Sequence, residues 1–406
     1  MKKFLIGLLA ILLAAQGFAG CRKQTREKKD ITLTVWGPQE DQANENSWLP
    51  AMCRAFAEEN PQWNITFRYG VCSEGDAGNT VSADPQDAAD VYFFSNDQLG
   101  ALRSAGAISR LGGETLDAIK ADNPENMVRA VTGEDGNVYG VPFTGNTWFL
   151  YYNKSLFSQE DILSLEAMLQ KGRVAFPMTD SWYLAAFYLA GGAKFFGADG
   201  QDSNAGIQLG DNAAAVTAYL VELAQNPNFV DDAEGAGLDG LLNGSVGAMF
   251  SGTWDAEKIK KALGENYGAA QLPAITLAGE QKQLLAFAGA KAVGVNPYCK
   301  EPQAAVALAR YLGSAKAQKA HYEMRGIVPS HKDLQNDPVL SRDPAAVAQN
   351  ATIRNTSVVQ PTVPKMRDFW VPGDNMGKAI LAGSVTVENA AAETEKFQTA
   401  LNAGGL

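Results

Sequence analysis

Four short stretches of the chain combine an aromatic ring or a tight turn with amide or carboxylate side chains. They are Trp36 to Asp41 (WGPQED), Ser95 to Gln98 (SNDQ), Gly145 to Trp148 (GNTW) and Gly252 to Asp255 (GTWD). Each follows or adjoins a strand-like apolar run. A carbohydrate offers an apolar C–H face and a rim of hydroxyls, so a site for one needs flat rings to stack on and planar amides or carboxylates at the edges. Singly, each stretch reads as a core tryptophan or a solvated turn. Four of them at strand ends, where α/β sheets hold their ligands, favour a binding groove.

Residues for other chemistries are sparse. The only histidines are His321 and His331, and neither belongs to an HExxH pair or another metal spacing. The chain contains no GxSxG elbow, SxxK pair or P-loop. Among 45 acidic residues a glycosidase pair has room to hide. An extracellular glycan-acting enzyme is therefore the rival class, while the main expectation is a binder with no catalytic residue, cofactor or metal.

The elements that must position these residues follow from periodicity. Ile31 to Trp36 alternates and is rich in branched residues, which predicts a strand; Leu49, Met52 and Phe56 mark a helix closed by Asn60-Pro61. Ile65 to Tyr69 predicts another strand, and Ala89 to Phe94 is continuous enough to be covered on both faces. Thr147 to Tyr152, Gly247 to Phe250 and Tyr267 to Leu272 are further strands, with Ala286 to Asn296 expected as a strand pair. Helical spacing runs through Ile162 to Leu169, Tyr183 to Ala190, Ala213 to Ala224, Pro302 to Leu312 and, with a break near Gly383, Asn375 to Leu401. This rhythm indicates α/β architecture with mostly parallel sheets.

At the N-terminus, Met1-Lys2-Lys3 precedes an apolar run from Phe4 to Ala15 and the small pair Ala19-Gly20 before Cys21. A basic start, a short greasy core and small residues at a cleavage point form a secretory signal, too short to stay as a membrane span. Residues 22 to 30 are polar or charged and read as a tether. Removing residues 1–20 takes away Lys2 and Lys3 and no acid, so the formal charge moves from -11 to -13. Such a surface excludes nucleic acid and adsorption to anionic lipid headgroups. About 380 remaining residues exceed one comfortable core, so two lobes are expected. Cys53 and Cys72 either bridge the first helix to the next strand or remain buried thiols.

The segments ITLTVWGPQEDQ, ADVYFFSNDQLGALRSAGAISRL, GVPFTGNTWFLYYNKSLF, LLNGSVGAMFSGTWDAEKI, YGAAQLP, AFAGAKAVGVNP, AQKAHYEMRGIVPSHKDL and QPTVPKMRDFW, in this order, resemble the extracellular solute-binding proteins of carbohydrate ABC transporters, and within them the maltose and maltodextrin binders. The likeness covers nearly all of the chain after the tether. It implies a periplasmic-binding-protein-like fold: two α/β lobes, hinge-linked, closing on a ligand in the cleft between them. Lobe 1 would take 31–143 plus about 291–340, and lobe 2 would take 144–290 plus about 341–406. Residues 1–20 would be a lipoprotein signal and 21–30 the tether, with Cys21 lipidated; Phe18 departs from the usual aliphatic residue of that motif. The protein would sit as a monomer on the extracellular face of the cell membrane, on the periplasmic side where an outer membrane exists, and deliver an oligosaccharide to permease subunits.

Carried over by motif, the resemblance implies that Trp254 and Trp370 stack on sugar rings, with Trp182 or Tyr183 supplying another ring. Asp97, beside Asn96 in SNDQ, would bind hydroxyls, as would Asp255 in GTWD. Asn146 stands where relatives carry a glutamate, which keeps a hydrogen bond and loses a charge. Gln39, Glu40 and Asp41 in the first loop would hold polar edges. Val371 replaces an aromatic found in some relatives, which bears on the number of subsites.

Overall fold

A computed structural model of the chain describes residues 28–403. The signal segment, Cys21 and most of the tether lie outside the described residues. Among the described residues no helix is long and apolar enough to cross a membrane.

Two sheets organise the molecule. In the first, Lys29–Gly37 pairs in parallel with Trp63–Val71, from Lys29 opposite Trp63 to Gly37 opposite Val71, and also with Val91–Ser95. Ile31, Leu33 and Val35 alternate inward as their spacing requires. Val91–Ser95 is buried along its whole length, with the helices Ala77–Ala83 and Pro302–Leu312 packed against it. Ala286–Val295 then runs antiparallel to Val91–Ser95 and to Val141–Asn146, and Ser357–Val359 joins its outer end in parallel. Where the sequence suggested a strand pair at 286 to 296, the chain makes one long strand. Its glycines serve close approach instead of a turn: a Cβ on Gly289 would lie 1.9 Å from Asn96 Oδ1.

The second sheet has the order Tyr267–Ala270, Phe149–Asn153, Ala248–Ser251, Val174–Phe176, Phe229–Asp231. Each sheet has its own large core. Phe143 and Ala290 belong to the first, Trp148 and Phe287 to the second. The chain therefore passes between cores at 143–148 and at 287–290, and Thr147 Oγ1 donates to Phe287 O (2.9 Å) where the two crossings meet. A third strand lies beside them: Gln360 N donates to Ala288 O at 2.8 Å, just past Ser357–Val359.

Two helices of the second core carry Trp182, Tyr183 and Trp370. Ser181–Ala190 (SWYLAAFYLA) is apolar all round and sinks into the core, with Asp180 as its N-cap accepting from Trp182 N (2.9 Å). Arg367–Leu381 begins eight residues before the expected Asn375, so Trp370 stands on a helix. This helix lies against the first through two glycines four apart: a Cβ on Gly373 would meet Ser181 Cβ at 2.6 Å, and one on Gly377 would meet Met178 O at 2.0 Å. Cys53, Cys72 and Cys299 are free thiols. Burial pushes the Cys53 thiol up to about 12, so it is not a reactive thiolate at neutral pH.

Candidate functional site

Between the two sheets lies a cleft of about 620 Å³, within the range of small-molecule sites. Its aromatic lining comes from three separate elements: Trp182 at the start of Ser181–Ala190, Trp254 in the short turn after Ala248–Ser251, and Trp370 on Arg367–Leu381. Trp182 and Trp254 have ring centroids 6.3 Å apart and planes tilted by 34°. Trp254 is 43% exposed, a large apolar surface left open to the cleft. Its ring lies over Gly252, where a Cβ would be 2.0 Å from Cζ3, so the glycine of GTWD lets the ring fold back against its own turn.

The polar edge opposite comes from the first sheet. Ser95, Asp97 and Gln98 follow the strand Val91–Ser95, and Asn146 ends the strand Val141–Asn146. Burial pushes the Asp97 carboxyl above its ordinary value, while hydrogen bonds from Ser95 and Gln98 and the charge of Lys291 pull the other way. Lys291 is the cationic residue of the lining. Its Nζ pairs with Glu74 at 3.4 Å and sits 5.8 Å from the Trp254 ring centroid, joining an acid that follows the strand Trp63–Val71 of the first sheet to a ring that follows Ala248–Ser251 of the second.

Two further carboxylates close the floor. Asp374 Oδ1 accepts from Ser181 N at 2.8 Å, and Asp180 caps the same helix start. Burial raises the Asp180 carboxyl, and the neighbouring Asp374 charge raises it further against the bond from Trp182 N. Asp374 and Lys291 were missed at the sequence level. Asp374 follows Trp370 by four residues and so shares its helix face, a signal readable once the helix is known to start at Arg367.

Several expected contacts are elsewhere. Tyr183 is buried in the core, 4.8 Å from the Trp148 ring and edge-on to Phe176; of the Trp182 and Tyr183 pair, Trp182 meets the cleft. Asp41 is 3% exposed and turns inward, bonding His321 Nε2 and accepting from Arg325 Nε, both at 3.0 Å. Burial opposes its charge, yet His321 and Arg325 hold its carboxyl below the usual carboxylate range. Gln39 and Glu40 are exposed on the same one-turn helix and do not line the cleft. Asn96 is fully buried, packed over Gly289. Asp255 accepts from Ser251 Oγ (2.6 Å) within its own turn. Five sequence-named residues thus converge on the cleft: Asp97, Asn146, Trp182, Trp254 and Trp370.

The arrangement has stacking faces and hydroxyl partners in quantity. Both histidines are away from it, His321 with Asp41 and His331 accepting from Asp333 N. Among the described residues no group of three His, Cys, Asp or Glu is set to hold a metal ion.

Known proteins share this framework. The galactooligosaccharide-binding protein of Bacillus subtilis is 27% identical over 97% of this chain and 96% of its own length. A maltooligosaccharide ABC transporter solute-binding lipoprotein of Streptococcus pneumoniae is 25% identical over 95% of this chain and 93% of its own. A solved structure obtained with acarbose is 46% identical and superposes with a TM-score of 0.88, covering 92% of this chain and 99% of that one. The model of the bacterial extracellular solute-binding proteins matches residues 51–348, and the chain belongs to that family.

Proposed function

We propose that the protein is the exported, lipid-anchored capture component of an ABC importer, and that its ligand is a maltodextrin-type oligosaccharide held in the cleft. The observation that carries this reading is the set of three tryptophans on separate elements, facing an acid and amide edge from the other sheet. An α-1,4-glucan is a curved ribbon whose rings tilt in succession. Rings set at an angle, as Trp182 and Trp254 are at 34°, suit it better than a flat β-1,4 chain, which prefers coplanar platforms.

The lobes are 31–143 with about 291–340 and 144–290 with about 341–406, hinged where the chain passes between cores. Ligand touching both lobes would favour a closed form by its differential affinity for it. The protein is a monomeric carrier and not an enzyme, and Cys21 bears the lipid. A Cys21→Ser variant is expected to leave the membrane fraction; one that stays bound would refute the anchor.

Calorimetry tests the ligand. Maltotriose or a longer maltodextrin is expected to bind at least tenfold more tightly than cellotriose, a gap of about 1.4 kcal/mol. Equal or inverted preference would remove the maltodextrin reading. A galacto-oligosaccharide is the second reading, favoured by the Bacillus subtilis relative, and tighter binding of it in the same titrations would replace the first. Maltodextrin recovered intact after incubation separates carrier from glycan-acting enzyme.

A further inference from the structure

The indole N–H of Trp182 does not point into the cleft. It donates to Gln360 Oε1 at 2.9 Å. Gln360 is 1% exposed and follows directly on Ser357–Val359, beside the crossing strand: its backbone N donates to Ala288 O at 2.8 Å. Two residues on, Thr362 Oγ1 donates to Thr132 O at 2.8 Å, on the side of the first core. Gln360 thus belongs to a segment tied to both halves of the molecule, and its side chain reaches one ring of the cleft.

The chemistry of this amide sets its orientation. An indole N–H only donates, so Gln360 must present its oxygen, which leaves Nε2 buried without a partner among the described residues. An unpaired buried donor is unfavourable. A glutamine held in that state has its acceptor committed to the ring.

We propose that Gln360 is a positioning residue: its Oε1 fixes the plane of the Trp182 ring and ties that stacking face to a segment bonded to both halves of the molecule. The proposal rests on the oligosaccharide reading of the cleft for its effect on affinity, and on geometry alone for its effect on the ring. Gln360 touches the ring and acts on ligand only through it.

The test uses 15N-labelled protein without its signal segment, with the Trp182 indole cross-peak identified by its absence in Trp182→Phe. In Gln360→Met, which removes the acceptor at similar volume, the peak is expected to move upfield. In Gln360→Glu, which keeps an acceptor, it should remain downfield. Maltotetraose affinity should fall roughly fivefold to tenfold in Gln360→Met and be restored in Gln360→Glu. In a Trp182→Phe background, Gln360→Met should change affinity less than twofold, because the donor is already gone. An unmoved indole peak, or an equal loss in the Trp182→Phe background, would overturn the proposal. If Gln360→Met fails to fold, Gln360→Leu takes its place in both measurements. A moved peak in a protein that binds no maltodextrin would support the positioning role and overturn the ligand reading instead.

Discussion

Trp254 lies with its ring 6.3 Å from that of Trp182, and the two planes meet at 34°. The residues are 72 positions apart, one in a turn after a strand and the other in the first turn of a buried helix. The helix Arg367–Leu381 adds Trp370 to the same wall, seated by Gly373 and Gly377. A wall assembled from three segments has angles that are set by packing and are open to mutation.

Truncating the rings should remove binding and spare the fold. Trp254→Ala and Trp370→Ala are each expected to lose about 2 to 4 kcal/mol of maltodextrin affinity by calorimetry. Thermal unfolding should change little for Trp254, whose ring is 43% exposed. A Trp254→Ala protein that binds normally would remove that ring from the site.

Moving the third segment should weaken binding without touching a lining side chain. Gly377→Ala places a methyl 2.0 Å from Met178 O, which the backbone must relieve by shifting the helix that bears Trp370 and Asp374. A loss of about 1 to 3 kcal/mol of stability is expected from overpacking. Affinity should fall as well, measured at a temperature where the variant is fully folded. Unchanged stability would mean that the helix contact at Gly377 has room for a methyl group.

Affinity should depend on pH through Asp97. Its carboxyl is raised above 3.8 by burial, so as the pH falls it takes up a proton earlier than a free aspartate does. A carboxylate that accepts from sugar hydroxyls then loses acceptor strength, and affinity should drop as pH falls, beginning above 3.8. Asp97→Asn is expected to bind more weakly at neutral pH and to show a flatter profile. An identical profile in the two proteins would assign the dependence to another group.

Asp41 should matter to stability. It is 3% exposed and bonded by His321 and Arg325, and removing one partner of a buried charged cluster costs about 3 to 5 kcal/mol. Asp41→Ala is therefore expected to lower the denaturation midpoint at neutral pH. The folded pKa lies below the unfolded value of 3.8, so the wild-type advantage is fully present above 3.8 and fades as pH falls through the lower folded value. Denaturant titrations at neutral and acid pH measure this, and a difference that grew on acidification would contradict the assignment.

Much of this was legible from residue order. Alternation in Ile31 to Trp36 and the unbroken apolar run at Val91 announced strands, because a half-buried strand has period two and a doubly covered one has none. The motifs SNDQ, GNTW and GTWD marked the loops where those strands end, and the resemblance they carried together with KMRDFW named Asp97, Asn146, Trp254 and Trp370, which the cleft brings together. Which side chain of each loop turns outward was decided elsewhere in the molecule. Helix Ser181–Ala190 is apolar all round, so its periodicity singles out no face, and only packing against Trp148 sends Tyr183 inward and leaves Trp182 at the cleft. Asp41 turns inward because His321 and Arg325, some 280 residues away, arrive on the helix Ala315–Arg325 to bond it. Asp374 and Lys291 reach the cleft through a glycine-seated helix and a strand that crosses between cores. Local propensity acts over a few neighbours along the chain, whereas the direction of a side chain at a lobe boundary depends on segments that meet only after both cores have formed.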